Sequence, residues 1–311
     1  MALQTSGAIS LNDIHVEGGG SSATSASINE SQIRDLIFKA SGSQMSFSDW
    51  YGAGRTNGLF ALQEIRVSDY ISSGGTFTIP SGAWVWSDDN TTAALTINIP
   101  CTVINNGYII GKGGVGGSTS STNGANGGPA ISVTSSGVTI TNSSGAYIAG
   151  GGGGGAAASF TNGSGTSGGG GGAGGGNGGT GNTYTGETGG AINSTGTGVF
   201  ATNAGAGGAG GSSSGGRQLP GSGGAFTGNF ANPSPNIGYG GNAGNSGGAG
   251  GLASAAVGNF ITGGGGGGWG AAGGSTSAAN GLAAASGGSG GAAITGTSIT
   301  LNNSGVINGS T

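Results

Sequence analysis

The chain has 311 residues, of which 83 are glycine and only 5% are charged. Six Lys and Arg against ten Asp and Glu give a formal net charge of -4, which excludes a basic surface for nucleic acid. A single His and a single Cys exclude an internal disulfide and a His-based metal site or triad, and no apolar run is long enough to span a membrane.

The opening MALQTSGAIS lacks the basic and apolar regions of a secretory signal, so the chain is expected to be made in the cytoplasm without a signal peptide. Residues 1–70 hold most of the charge. Ser27-Ile28-Asn29-Glu30 reads as a capping box, and Ile33, Leu36, Ile37 and Ala40 then recur at helical spacing. Gly42 stops that helix. Two related pieces flank it: Ile9-Ser10-Leu11-Asn12-Asp13-Ile14 and Met45-Ser46-Phe47-Ser48-Asp49-Trp50. Both read apolar-Ser-apolar-x-Asp-apolar, a duplicated device in which Asp13 and Asp49 each cap a short helical turn. So small a segment has little core of its own. It is predicted to dock onto another molecule through Ile9, Leu11, Phe47, Trp50 and Tyr51.

SGAISLNDIHVEGGG and SGSQMSFSDWYGAG resemble a short segment found in many structural proteins of tailed bacteriophages, where typical forms read ISL-x-D and MSFSDFYG. The resemblance implies a virion protein, made in the host cytoplasm, that ends in the assembled particle attached through this segment to other phage structural proteins.

Residues 71–110 are β-rich. An alternating strand begins at Gly74-Gly75-Thr76-Phe77-Thr78-Ile79-Pro80. Trp84-Val85-Trp86, a turn at Ser87-Asp88-Asp89-Asn90 and the alternating Leu95-Thr96-Ile97-Asn98-Ile99 follow. Asp88 and Asp89 are an acidic pair with no third carboxylate nearby, which suits a turn better than a cation site. Cys101 suits a small buried position in a strand. Three segments then resemble one another: 101–111 (CTVINNGYIIG), 138–150 (VTITNSSGAYIAG) and 298–309 (SITLNNSGVING). Each is a strand, an Asn/Ser-Gly turn, a short strand and a glycine, as expected of stacked rungs. Their apolar side chains (Val103, Ile104, Ile140, Ile148, Ile299, Leu301, Ile307) are predicted to cover one side of the glycine-rich region they bracket.

That region, residues 111–291, contains runs such as GGGGGAGGGNGGTG (168–181) and GGGGGGWGAAGG (263–274). Without a strict period such composition normally means disorder. The alternative is a lattice held by backbone groups alone. Polyglycine adopts the polyproline II helix, with three residues per turn and no internal hydrogen bonds, so every N–H and C=O points outward. Ordering costs roughly 1–2 kcal/mol per residue, and more for glycine. A hydrogen bond returns only about 0.5–1.5 kcal/mol net. Such a lattice persists only if nearly every buried backbone group is paired and apolar layers flank it.

Richer segments interrupt the runs and supply Phe160, Tyr184, Phe200, Phe226, Phe230, Tyr239 and Phe260. Pro220, Pro233 and Pro235 mark Gln218 to Tyr239 as the clearest loop. The glycine runs are expected to form antiparallel struts and the richer segments the reversals, clustering at one end as recognition loops do. Each aromatic caps the lattice or contacts a ligand. Trp269, inside a run, is expected to be a packing wedge. GGGGGAGGGNGG and GNAGNSGGAGG are similar to runs in the tail-fibre tip adhesins of T-even-like phages. That resemblance implies a polyglycine sandwich displaying loops that bind receptors on the bacterial outer membrane.

The expected fold is mainly β with few helices: a β-solenoid-like or β-sandwich layer, a stack of polyglycine II helices and a small helix-containing N-terminal attachment segment. The expected division is docking segment 1–70, β-rich connector 71–110, glycine-rich display domain 111–291 and closing strands 292–311. The expected function is recognition of an outer-membrane protein or surface glycan on the host, without a cofactor, metal or covalent chemistry. Glu187 is the only carboxylate beyond Asn90, and His15 lies in the docking segment, so neither a carboxylate pair nor a serine triad can be built in the display domain. A structural or decoration protein of the virion is the alternative reading. An ice-binding protein fits less well, for want of a regular Thr/Ala face.

Overall fold

The structure is a computed structural model that describes residues 3, 4, 6–37, 39, 44–51, 53, 55, 56, 59–118, 122–159, 166, 167, 169–179, 263–276 and 285–311.

The N-terminal segment contains helix α1 (Leu11–Glu17), helix α2 (Ser31–Asp35) and a 3-10 turn, Phe47–Trp50. The duplicated device does form two matching caps. The Ser10 N–H donates to Asp13 and the Ser46 N–H to Asp49, each at 2.9 Å, and the serine hydroxyl faces the third residue in return. Hydrogen bonds from Ser10 hold the Asp13 carboxyl below the usual carboxylate range. The second helix is shorter than its spacing predicts and begins later. Glu30 is its N-cap residue, and the Glu30 carboxylate instead closes the preceding turn by accepting from the Ser27 N–H. Ile14, Ile33, Leu36, Ile37, Trp50 and Ala53 form a compact core of the segment's own.

The next part is a three-faced parallel β-solenoid. Its strands are β1 (Arg55–Thr56), β2 (Leu59–Gln63), β3 (Ile65–Arg66), β4 (Thr76–Ile79), β5 (Trp84–Trp86), β6 (Leu95–Ile97), β7 (Thr102–Asn105), β8 (Tyr108–Ile110), β9 (Ile131–Val133), β10 (Thr139–Asn142) and β11 (Tyr147–Ala149). After the two-residue strands β12 (Ala158–Ser159) and β13 (Thr166–Ser167), it resumes with β14 (Ile294–Gly296), β15 (Thr300–Asn303) and β16 (Val306–Asn308). One face is β1-β2-β5-β8-β11-β16, the second β3-β6-β9-β14 and the third β4-β7-β10-β15. Apart from the β1–β2 hairpin, neighbours within these faces are parallel. The chain visits the faces in the same cyclic order on every rung. The first rung opens at β2, before residue 71, so the solenoid begins earlier than the predicted connector.

The rungs stack in register because like residues recur at like positions. Phe77, Val103, Ile140 and Leu301 form one inward column, and Val85, Ile109, Ile148 and Ile307 another. Leu95, Ile131 and Ile294 line the remaining face. Burying each such side chain contributes roughly 1.5–3 kcal/mol. At the corner after the third face, Asn105, Asn142 and Asn303 stack as an amide ladder. Asn105 Nδ2 donates to Asn142 Oδ1 at 2.8 Å, and Asn142 Nδ2 to Asn303 Oδ1 at 2.9 Å. Cys101 is buried just before β7, and burial pushes its thiol pKa up.

The three matching segments are therefore rungs, as their sequences suggest. Their inward apolar side chains do not cover the glycine region, however: Val103, Ile140 and Ile148 face the solenoid's own core. The glycine runs emerge from one corner, between the first and second faces. That corner is Glu64 alone on the first rung, 87–94 on the second, 111–130 on the third and 150–293 on the fourth.

Candidate functional site

The glycine runs form neither strands nor α-helices, yet their backbone groups are paired with a strict period. The run 150–157 is the centre. Gly151, Gly154 and Ala157 donate to Gly128, Ala125 and Thr122 of one neighbouring run. Gly152 and Gly155 donate to Ala173 and Gly170 of a second, and Gly153 and Ala156 to Ala271 and Gly274 of a third. The carbonyls point to three others. Gly150, Gly153 and Ala156 accept from Gly270, Gly267 and Gly264; Gly151 and Gly154 from Gly291 and Gly288; Gly152 and Gly155 from Gly114 and Gly117. Each neighbour is thus met every third residue, and the run is surrounded by six others. Four of these run antiparallel to it and two, 111–117 and 271–274, run parallel. The arrangement is mixed, not the purely antiparallel one expected.

The spacing is too close for side chains. A Cβ on Gly150, Gly151, Gly152, Gly153, Gly154 or Gly155 would lie 1.8–2.0 Å from a carbonyl oxygen of a neighbouring run. Side chains are tolerated where a run faces outward, and there too the period is three. Val115, Asn123, Asn126, Ala272, Ser275, Ser286 and Ser289 are exposed, with glycine or alanine filling most positions between. Asn123 and Asn126 replace missing neighbours on this surface: their amide oxygens accept the N–H groups of Ser286 and Ser289 at 2.8 and 2.9 Å.

One end of the lattice is seated on the solenoid. Trp84, Tyr108 and Tyr147 occupy successive rungs in register on the outer side of the first face and stack at 4.1 and 5.1 Å between ring centroids. Trp269 meets Tyr147 edge-on at 5.6 Å and is buried with Trp84, Ile110, Ala149 and Ala173. These residues, not the columns predicted from the three segments, cover the glycine layer. Trp269 is the packing wedge expected of it. At the same end Lys112 Nζ lies 2.5 Å from Asp88 Oδ1, and Glu64 accepts from the Asp88 N–H and the Ser87 hydroxyl. Asp89 caps its own turn through Thr91, which holds its carboxyl low. The acidic pair therefore serves structure, and no group of three or more metal-ligating side chains occurs among the described residues.

Reversals at the seated end are tight. Gly174 and Gly175 take φ values of +96° and +82°, a conformation that side-chain-bearing residues rarely adopt, and Ala271 N–H closes a turn on Gly268. The long excursions all depart from the opposite end. There the Gly169 N–H donates to Gly117, Gly179 to Gly169, Ala157 to Thr122, Thr276 to Ala285 and Gly264 to Ala156. From them the chain leads into 118–121, 158–168, 180–262 and 277–284. Phe160 belongs to the second of these segments, and Tyr184, Phe200, Phe226, Phe230, Tyr239 and Phe260 to the third. All seven lie outside the described residues.

The docking candidates divide. Trp50 is fully buried, with Nε1 donating to the Ile33 carbonyl at 2.9 Å, so it stabilises the segment and offers no surface. Ile9 and Leu11 pack against the same core and are half-buried. Phe47 and Tyr51 are exposed, at 43% and 38%. Val16, also 43% exposed, was not foreseen; its place in α1 pointing away from Ile14 was the available signal.

The family described as phage tail fibre adhesin Gp38 matches residues 57–216. A solved structure, the crystal structure of the gp37-gp38 adhesin tip complex of the bacteriophage S16 long tail fiber, is similar at 18% identity and a TM-score of 0.35, covering 99% of each chain. No curated protein matches the chain. The family match spans the strands β2 to β11, the Trp84–Tyr108–Tyr147 column and the first glycine runs, more than half of the chain, and on it this protein belongs to the Gp38 family of phage tail fibre adhesins.

Proposed function

We propose that this receptor-binding adhesin recognises its host through segments 158–168, 180–262 and 277–284, held at the end of the glycine lattice remote from the solenoid. One observation carries the reading: every described strut end that leads into these segments lies at that end, while the other is sealed by Trp269 and the aromatic column. The three-residue period and six-fold surround support polyglycine II helices as the struts. Backbone bonds on all sides make a stiff platform on which loops vary freely, the usual division between scaffold and recognition surface. Phe160, Tyr184, Phe200, Phe226, Phe230, Tyr239 and Phe260 supply contact area at low entropic cost among Gly, Ser and Asn. Recognition is non-covalent and needs no cofactor or metal. Residues 1–58 attach the adhesin to the rest of the tail fibre through exposed Phe47, Tyr51 and Val16.

The test is binding of the labelled chain to susceptible bacteria and to phage-resistant mutants. Saturable binding to the first and none to the second is expected, and the mutants' lesions then name the protein or glycan bound. Exchange of 180–262 for the corresponding segment of another family member is expected to redirect binding without loss of fold. Unchanged specificity after that exchange would overturn the assignment of the loop end.

A further inference from the structure

Run 285–291 lies on the outside of the glycine lattice. Among the described residues it has three neighbouring runs, where the central run 150–157 has six. It bonds inward to Gly151 and Gly154, on one side to Gly124 and Gly127, and on the other to Gly273 and Thr276. A polyglycine run presents donors and acceptors on every side. Its outer side is therefore an edge of the same kind as an unpaired strand, open to pairing with another chain. Such edges are ordinarily blunted with charge or proline. Runs 122–128, 271–276 and 285–291 contain neither. Side chains of the two flanking runs take the place of the missing backbone instead. Of the five N–H groups from Ala285 to Ser289, only that of Gly288 donates to a backbone carbonyl, that of Gly154. Ala285 donates to Thr276 Oγ1 at 3.0 Å, Ser286 to Asn123 Oδ1 at 2.8 Å, Gly287 to Ser275 Oγ at 3.1 Å and Ser289 to Asn126 Oδ1 at 2.9 Å. The same side chains stand in the way of a further run. Asn123, Asn126, Ser286 and Ser289 are exposed along the groove between two adjacent runs, and at lattice spacing a Cβ on Gly150 to Gly155 would lie 1.8–2.0 Å from a neighbouring carbonyl oxygen.

We propose that Asn123, Asn126, Ser286 and Ser289 close this face of the lattice against a second copy of the same chain. A second copy is the partner the bare face would fit. It carries the same three-residue period, it has no charge there to repel its counterpart, and two polyglycine edges offer each other donors and acceptors. Closure has two separable parts. The Asn amides satisfy the Ser286 and Ser289 N–H groups, and the four Cβ atoms hold any further run beyond bonding distance. The second part decides association. An N–H released at this surface bonds to water, whereas a Cβ has no place at lattice spacing. The extent of the lattice is thus written in the positions where the outward third residue ceases to be glycine, and each adhesin tip stays separate from the next. The device belongs to the lattice itself and is independent of what the recognition segments bind.

Two four-fold variants of the full chain separate these parts. One carries Asn123→Gly, Asn126→Gly, Ser286→Gly and Ser289→Gly, and the other carries alanine at the same four positions. Sedimentation velocity at matched concentrations is expected to show the glycine variant as a dimer or larger species. The alanine variant, more apolar but still bearing every Cβ, is expected to sediment as the unsubstituted monomer does. Association of the alanine variant to the same degree would make the effect ordinary surface hydrophobicity and overturn the proposal. So would a monomeric glycine variant whose Gly151 to Gly155 amides remain protected from exchange, or an unsubstituted chain that already associates through this face. Hydrogen exchange gives a reading that does not depend on the glycine variant folding. In the unsubstituted chain the exposed Ser286 and Ser289 amides are expected to exchange within about ten-fold of Gly288. In Asn123→Ala/Asn126→Ala they are expected to quicken by at least about ten-fold while Gly288 does not. Unprotected Ser286 and Ser289 amides in the unsubstituted chain would show that no such clamp exists.

Discussion

A Cβ on Gly154 would sit 2.0 Å from the Val115 carbonyl oxygen and 2.9 Å from Gly116 N, and neither atom can retreat. Val115 O accepts from Ala125 and Gly116 N donates to Asn177, so a shift breaks bonds to two further runs. Gly154→Ala is therefore expected to destabilise the chain by at least about 3 kcal/mol, beyond ordinary overpacking. Thermal unfolding followed by circular dichroism checks it, with the exposed position Ser289→Ala as a control expected to stay within about 0.5 kcal/mol. An equally heat-stable Gly154→Ala protein would rule out the close-packed lattice. Tyr70 offers a second residue-scale test. Packed on Phe77 at 5.4 Å, its hydroxyl is pushed up to about 12, first by burial and then by Asp69. The raised value means that the fold favours the neutral phenol. Stability is full below pH 10 and declines as pH rises from 10 toward 12, by up to roughly 3 kcal/mol. Tyr70→Phe is expected to flatten that decline in alkaline unfolding curves, and an unchanged curve would show that other groups cause it.

At the scale of elements, the solenoid and the lattice meet across few residues, and Trp269 is central among them. Trp269→Ala is expected to cost about 3–5 kcal/mol. The loss should fall unevenly: hydrogen exchange should quicken in 263–291 while β7, β10 and their neighbours keep their protection. Uniform loss across both parts would mean that they do not unfold separately. The sequence showed the later rungs plainly, because Asn105, Asn142 and Asn303 mark the same corner in each. The equivalent pair β4 and β5 escaped because Ile79 stands where the asparagine would be. Alternation separated the two sides of each strand but not which was outside. The inward columns were therefore assigned to the lattice, while Tyr108 and Tyr147, aligned in those same segments, were the residues that cover it. The identity of each glycine run's neighbours was not legible at all. Glycine has no side chain with which to encode a partner; only the spacing of Asn123 and Asn126, or of Ser286 and Ser289, betrayed the period of three.

For the whole molecule, the scarcity of charge beyond Asn90 bears on adsorption through the proposed recognition segments. Beyond Asn90 the charged side chains are Lys112, Glu187 and Arg217. Lys112 is paired with Asp88 at the seated end of the lattice. Glu187 and Arg217 both fall in the segment 180–262 and carry opposite charges, so the segments proposed for recognition carry no net charge with which to steer toward a charged cell surface. Association accelerated by long-range charge slows steeply with salt, because screening shortens the Debye length from about 14 Å at 0.05 M to roughly 4 Å at 0.5 M. Contact through aromatic and amide groups is nearly indifferent to it. The adsorption rate of the isolated chain on susceptible cells is therefore expected to stay within about three-fold over that range. A fall of ten-fold or more would place an ion pair at the heart of recognition. Arg217→Gln and Glu187→Gln would then identify which of the two loop charges makes it, since substitution of the responsible residue alone should remove the salt dependence.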